Sequence, residues 1–143
     1  FNEFETKNAS AFRSLKKYLD TINIFFKDSR KNLFFDPSTG RLAFTMNDVN
    51  GFSGEKRNIT HLSSGENQIL ILFTFLAFVA KSGSVFIVDE PELSLHPKWQ
   101  HEFMDAFLQL CPSNTQLLLA THSPEIVGYH REKCATPQSG SVS

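Results

Sequence analysis

Two adjacent carboxylates, Asp89 and Glu90, follow directly on the apolar run 85–88 and precede Pro91. Four β-branched or aromatic residues in a row predict a strand that is buried on both faces, as in a parallel sheet. Folds of the α/β class place their ligands at the carboxyl ends of such strands. Because side chains alternate along a strand, we expect the two acids to lie on opposite sides and to serve separate roles. The alternative is a polar strand end followed by a turn.

A second group of polar residues marks the start of a helix. Ser63 and Glu66 have the spacing of an S-x-x-E capping box, which on its own predicts only a helix N-terminus. The small residues Ser64 and Gly65 lie between them, and a helix N-terminus with free N–H groups also binds phosphate oxygens. Helix cap and phosphate site are both open interpretations of this segment.

Two further segments fall at the same edge of the predicted sheet. The loop 92–97 follows the acidic pair, and His122 follows the apolar run 116–120. If the two apolar runs form neighbouring strands, His122 shares an edge with Asp89 and Glu90. A histidine at a strand end is more often a plain hydrogen-bonding residue, so the candidate site depends on the combination of these features.

Hydrophobic periodicity predicts the elements that position these residues. In the first half we expect a helix over 10–22, a β-hairpin with strands at 33–35 and 42–44, and a loop over 47–58. In the second half we expect a helix over 66–81 that is buried on nearly every side. A further helix from Pro97 should have one apolar face, formed by Trp99, Phe103, Phe107 and Leu110, and a last helix should begin at Ser123. The alternation of helices and strands with short links predicts an α/β fold with parallel strands.

The composition excludes several classes of protein. A chain of 143 residues with 41% hydrophobic and 20% charged residues has enough apolar material for one folded domain. A net charge of −1 gives no overall attraction to nucleic acid or to acidic membranes. Cys111 and Cys134 lack the C-x-x-C spacing of a zinc site, and the longest apolar run, 69–80, is too short to span a bilayer. We expect a cytoplasmic protein with no membrane partner.

The order of the motifs LSSGE, VFIVDEPE, LSLHP and THSPE resembles the second half of an ABC-type ATPase head. Within that superfamily the chain is similar to the branch of the OLD, RecF and SMC proteins, and the run 89–97 followed by Trp99 and Gln100 is especially similar to the OLD-like AAA ATPases of bacterial antiphage systems. The resemblance is close over 59–128. It implies a partial P-loop NTPase fold, with a helix and β-hairpin insert at 1–58, the C-terminal half of the ATPase core at 59–136 and a flexible tail at 137–143.

The same resemblance implies catalytic roles at the ends of the two strands. Asp89 would hold Mg²⁺ through water, and Glu90 would act as the general base that activates the attacking water. His122 matches the switch histidine that senses the γ-phosphate. Phosphoryl transfer needs this set of positioning and charge-neutralising groups, so the residue types agree with the chemistry.

A further set of residues is implied to act across a head-to-head homodimer. Ser63, Ser64 and Gly65 match the signature motif, which contacts the γ-phosphate of ATP that is held by the partner head. Ser94 and His96 match the D-loop, which crosses the dimer interface. Ser64 stands where transporters usually have Gly, and His96 replaces the usual Asp.

The chain contains no G-x-x-x-x-G-K-[ST] loop to hold the phosphates. The segment 51–57 has the wrong glycine spacing and Arg57 in place of Ser or Thr, so it does not qualify. We therefore expect the C-terminal portion of a larger ATPase that is inactive alone. Its partners would be ATP, a second copy, and a nuclease or DNA, in antiphage defence, DNA repair or chromosome maintenance.

Two other classes of function are weighed against this one. The first is a metal-dependent nuclease or phosphatase with Asp89, Glu90, His96 and His122 as ligands, although the spacing contains no HxH or HxxxH pattern. The second is a non-catalytic dimerisation or scaffold module. Basic residues could contact nucleic acid, but a solvated helix face is the usual role of such groups; they are Arg13, Lys16, Lys17, Lys27, Arg30 and Lys31.

Overall fold

The computed structural model describes residues 2–47 and 53–135, with side chains from residue 8 onward except at Ser53. The predicted tail at 137–143 and the middle of the predicted loop, 48–52, lie outside the described residues. The helices and strands are α1 (Asn2–Phe26), β1 (Lys31–Asp36), β2 (Arg41–Asn47), β3 (Ser53–Asn58), α2 (Ser64–Thr74), β4 (Val85–Asp89), α3 (Pro97–Leu110), β5 (Gln116–Ala120) and α4 (Pro124–Val127).

The predicted hairpin is confirmed, and it belongs to a three-stranded antiparallel sheet in the order β1-β2-β3. At its turn the Asp36 carboxylate accepts hydrogen bonds from the backbone N–H and the hydroxyl of Ser38, at 3.0 and 2.7 Å. The expected loop over 47–58 is wrong for its last part, because Ser53–Asn58 forms β3 and pairs with β2. Residues 54–58 are exposed and polar, so no alternation of apolar residues could indicate this strand.

Strands β4 and β5 are parallel neighbours, as predicted, with Ile87 opposite Leu118 and Asp89 opposite Ala120. The expectation that β4 is buried on both faces is wrong: Phe86 is 8% exposed, but Ile87 is 76% exposed. The described helices cover only one face of this sheet. We call the other one the open face; it consists of Val85, Ile87, Asp89, Gln116, Leu118 and Ala120, which alternate with the covered residues along both strands.

The helix predicted at 66–81 is observed as α2, which continues into a π-helical turn at Phe75–Val79. Ala80 closes that turn by donating its N–H to the Phe75 carbonyl at 2.9 Å. Burial on nearly every side is wrong, because Ile71 is 70% exposed and Phe78 is 50% exposed. The described residues pack against only one side of α2, which includes the fully buried Phe73.

Aromatic side chains connect three helices and β4 into one core. The Phe25 ring of α1 lies 5.5 Å from Phe73 of α2 and 5.9 Å from Trp99 of α3, and Phe86 of β4 lies 6.2 Å from Phe107. The predicted inner face of α3 is confirmed, since Trp99, Phe103, Phe107 and Leu110 are all buried. Within the described part of the chain, no helix is both long and apolar enough to cross a membrane. The domain boundary at 58/59 stays a prediction.

Candidate functional site

Glu90 lies immediately beyond the end of β4 in a left-handed backbone conformation, with φ of 44°. Its N–H donates to the Ala120 carbonyl at 2.8 Å, which keeps the first residue after β4 attached to the end of β5. Glu90 is not part of the strand, so alternation along β4 does not decide on which side its carboxylate lies, and the opposite placement of Asp89 and Glu90 stays a prediction. A left-handed conformation costs a residue with a side chain about 1–2 kcal/mol, and such strain is typical of functional positions.

His122 and Glu90 are brought together at the ends of the two strands, as the sequence predicts. The His122 Nε2 atom lies 3.6 Å from Glu90 Oε1, and the two side chains are 91% and 41% exposed. The pair therefore faces solvent, close enough for the carboxylate to attract a charged imidazole or for one small group to contact both. Neither side chain is enclosed by the core.

Glu92, for which no sequence motif predicts a role, contacts the backbone at His122. Its Oε1 atom accepts a hydrogen bond from the His122 N–H at 2.6 Å, although 30 residues separate the two. Burial raises the pKa of Glu92, but the N–H groups of Glu92, His122 and Ser123 and the Thr121 hydroxyl outweigh it and lower the pKa. The only available signal was a third carboxylate in the same loop as the acidic pair.

Asp89 is exposed at the end of β4 and belongs to the open face. Within the described residues it takes part in no ion pair, so its carboxylate is free to meet a cation. One exposed carboxylate suits Mg²⁺, which keeps most of its waters and takes phosphate oxygens as ligands. The described part of the chain holds no group of three or more His, Cys, Asp or Glu side chains that could share a metal, so the four-ligand nuclease site is not found there.

The start of α2 has the predicted capping box. Ser63 Oγ accepts from the Glu66 N–H at 3.3 Å, and Glu66 Oε2 accepts from the Ser63 N–H at 2.7 Å. The Ser63 hydroxyl acts as an acceptor in this cap and therefore keeps its own proton for donation to another group. Ser63 and Ser64 are both exposed, so this helix start is accessible from solvent.

Gly65 is buried directly against the turn that follows Glu90. A Cβ atom at position 65 would lie 2.4 Å from the Ser94 carbonyl oxygen, which is closer than real Cβ contacts allow. Three residues further along α2, the Gln68 side chain donates to the Pro91 carbonyl at 3.3 Å. The signature segment and the predicted D-loop are thus packed against each other within one chain.

Glu66 joins α2 to the three-stranded sheet through a buried ion pair. Its oxygens accept from Lys31 Nζ at 2.7 and 2.9 Å and from the Ser29 hydroxyl at 2.6 Å, and its side chain is 2% exposed. Burial raises the pKa of Glu66, but the hydrogen bonds from Lys31, Ser29 and the Ser63 N–H and the Lys31 charge hold that pKa below its usual value. Lys31 is therefore not part of a solvated basic face.

His96 has a structural role that its predicted D-loop position did not indicate. It is the N-cap of α3, where its Nδ1 atom accepts from the Lys98 N–H at 3.3 Å. Gln100, one turn later, donates to the Leu95 carbonyl at 3.2 Å and accepts from the Ser123 hydroxyl at 2.6 Å. Gln100 thus connects the loop before α3 to the N-cap of α4.

Comparisons with known proteins identify the family to which the chain belongs. The family described as "AAA domain, putative AbiEii toxin, Type IV TA system" matches residues 5–128, and the chain belongs to this family. It is also similar to the retron Vc95 probable ATPase of Vibrio cholerae serotype O1 biovar El Tor, with 34% identity over 74 residues, or 52% of this chain. The matched part is 14% of that protein, so the chain spans only a small part of its relative's length.

Proposed function

We propose that this chain supplies part of the ATP-hydrolysing site of an AAA-type ATPase from the OLD/SMC-like ABC branch. The observation that carries the proposal is the approach of His122 to Glu90, 3.6 Å apart, at the carboxyl ends of two parallel strands, with Asp89 ending the first of them. That edge is where α/β folds bind their ligands. Family membership and the resemblance to a probable ATPase support the same class of activity.

In this proposal each residue at the strand ends has one task. Glu90 accepts a proton from the attacking water, and its partly exposed carboxylate is accessible to that water. His122 contacts the γ-phosphate from the neighbouring turn. Asp89 would hold Mg²⁺, which would supply positive charge to neutralise the phosphates of bound ATP.

Residues at the start of α2 would act on the nucleotide of a second copy. Ser63, Ser64 and Gly65 offer a hydroxyl and helix-terminal N–H groups, the donors that phosphate oxygens accept from. Ser94 and His96 are exposed in the adjoining loop and would lie at the interface of a head-to-head homodimer. The phosphate-binding loop that this chain lacks would come from a segment outside these 143 residues. In this proposal residues 1–58 form an insert that precedes the ATPase core at 59–136.

The comparisons also suggest a biological setting. The family description names a putative toxin of a type IV toxin–antitoxin system, and the relative in Vibrio cholerae belongs to a retron. We propose that ATP hydrolysis here serves an antiviral defence system in the cytoplasm. A nuclease partner and DNA are the further partners that we propose.

The test is an ATPase assay with Mg²⁺ on the intact protein, comparing wild type with Glu90→Gln. Loss of the base should lower the hydrolysis rate about 10²–10⁴-fold, while ATP binding and ATP-dependent dimerisation are retained. Glu102→Gln, an exposed position on α3, is the matched control and should hydrolyse ATP normally. Normal turnover by Glu90→Gln, or no ATPase activity in wild type with or without DNA, would contradict the proposal.

A further inference from the structure

The Glu92 carboxylate is hydrogen-bonded to the backbone of His122, a contact that no motif in the sequence indicates. Glu92 belongs to the short 3₁₀ turn Pro91–Ser94 that follows Glu90, whereas His122 lies in the turn between β5 and α4. The hydrogen bond from the His122 N–H to Glu92 Oε1, at 2.6 Å, is the short charge-assisted contact between these two turns. One carboxylate therefore connects the turn of the proposed base to the turn of the proposed sensor.

We propose that Glu92 is a positioning residue that holds the His122 backbone so that the imidazole stays beside Glu90. The inference rests on the proposed ATPase function and extends it to a residue outside the set of catalytic groups. The His122 side chain is 91% exposed and has no packing of its own to fix it. Its location therefore depends on its backbone, and the described hydrogen bond to that backbone N–H comes from Glu92.

The surroundings of Glu92 support a fixed carboxylate. Its Oε2 atom is buried and accepts no hydrogen bond of good geometry from the described residues. The Thr121 hydroxyl accepts from the Ser123 N–H at 3.0 Å and keeps its own proton for donation toward the Glu92 carboxylate. The contact with the His122 N–H uses a single oxygen, Oε1, and an amide oxygen at the same place can accept that hydrogen bond as well.

This single-oxygen contact defines the variants. Glu92→Gln keeps an acceptor for the His122 N–H, so its kcat should stay within about threefold of wild type. Glu92→Ala removes the acceptor, and its kcat should fall about 10²-fold, because small displacements of reacting groups cost this much. KM for ATP should change by no more than about twofold, because the contact does not bind the nucleotide. Asp105→Ala, an exposed carboxylate on α3, is the control that leaves activity unchanged.

A double-variant cycle in the intact protein tests whether Glu92 acts through His122. If it does, Glu92→Ala should cost little further activity once His122→Ala is present. Additive losses would overturn the proposal, as would loss of activity in Glu92→Gln equal to that in Glu92→Ala.

Amide hydrogen exchange separates this inference from the function on which it rests. The His122 amide should exchange slowly in wild type and Glu92→Gln and much faster in Glu92→Ala, whether or not ATP is hydrolysed. Unchanged exchange in Glu92→Ala would overturn the positioning role. Faster exchange in an enzyme without ATPase activity would leave the contact established and contradict the proposed function instead.

Discussion

Gly65 has two separate reasons to lack a side chain. The proposed contact with a partner's nucleotide is one, and the packing against the Ser94 carbonyl within the same chain is the other. The second reason holds without any ligand, because a Cβ atom 2.4 Å from a backbone oxygen forces one of the two segments to move. The effect of a substitution at Gly65 therefore reports on packing within the chain as well as on nucleotide recognition.

Gly65→Ala should lower the stability of the chain by about 1–3 kcal/mol, since the added methyl group overpacks a buried contact. Urea denaturation followed by circular dichroism measures this difference. Ser64→Ala, at the neighbouring exposed position, is the matched control and should stay within about 0.5 kcal/mol of wild type. Equal stabilities for Gly65→Ala and wild type would show that α2 and the 91–94 turn are not in close contact.

At the scale of elements, the sequence predicts those that have a regular spacing of apolar residues or a local capping motif. The inner face of α3, the pairing of β4 with β5 and the capping box at Ser63 follow directly from spacing. Strand β3 does not, because its residues are polar and its order comes from backbone hydrogen bonds to β2. The contact between Glu92 and His122 spans 30 residues, and no local pattern encodes such a contact.

The link between the antiparallel sheet and α2 is the ion pair of Lys31 with Glu66. Lys31 stands at the first position of β1 and Glu66 in the first turn of α2, and both side chains are nearly removed from solvent, at 13% and 2% exposure. Breaking a buried pair on one side leaves an uncompensated charge, which is costly. The same carboxylate also caps α2, so Glu66 stabilises both the start of the helix and its contact with the sheet.

Glu66→Gln should destabilise the chain by about 3 kcal/mol at pH 7, because Lys31 loses its counter-charge. The folded-state pKa of Glu66 is lowered, so its stabilisation is complete above the unfolded-state pKa of about 4.3 and disappears as the pH falls through the folded value. The difference between wild type and Glu66→Gln should therefore be constant from pH 7 to 5 and shrink below about pH 4.3.

Denaturation of both proteins at a series of pH values checks this dependence. Asp20→Asn is the matched control, because its ion pair with Lys16 is exposed on both sides and should contribute little at any pH. A difference for Glu66→Gln that grows as the pH falls would contradict the assigned direction.

At the scale of the whole molecule, the β4–β5 sheet and α2 both leave apolar surface uncovered by the described residues. The open face of the β4–β5 sheet presents Ile87, at 76% exposure, and Leu118, at 48%. The outer side of α2 and its π-helical turn presents Ile71 and Phe78. Exposed apolar surface of this extent favours association with another apolar surface in water.

The 143-residue chain on its own should therefore self-associate in a concentration-dependent way. Ile87→Lys with Leu118→Lys should weaken the association constant about tenfold or more, because two apolar side chains leave the contact and two charges enter it. Light scattering coupled to size-exclusion chromatography measures the effect. Leu108→Lys, at a half-exposed position on α3, is the control. A monomer at all concentrations would contradict the prediction.

The position of Asp89 on the open face has a thermodynamic consequence. Any segment or subunit that covers Ile87 and Leu118 also changes the environment of the carboxylate two residues further along β4. Binding of that partner and of the Mg²⁺ proposed at Asp89 would then be linked, and linkage is reciprocal: if covering the face strengthened cation binding at Asp89 by a given factor, the cation would strengthen the covering contact by the same factor. The same coupling free energy would thus be obtained by measuring assembly with and without the metal or by measuring metal binding with and without assembly.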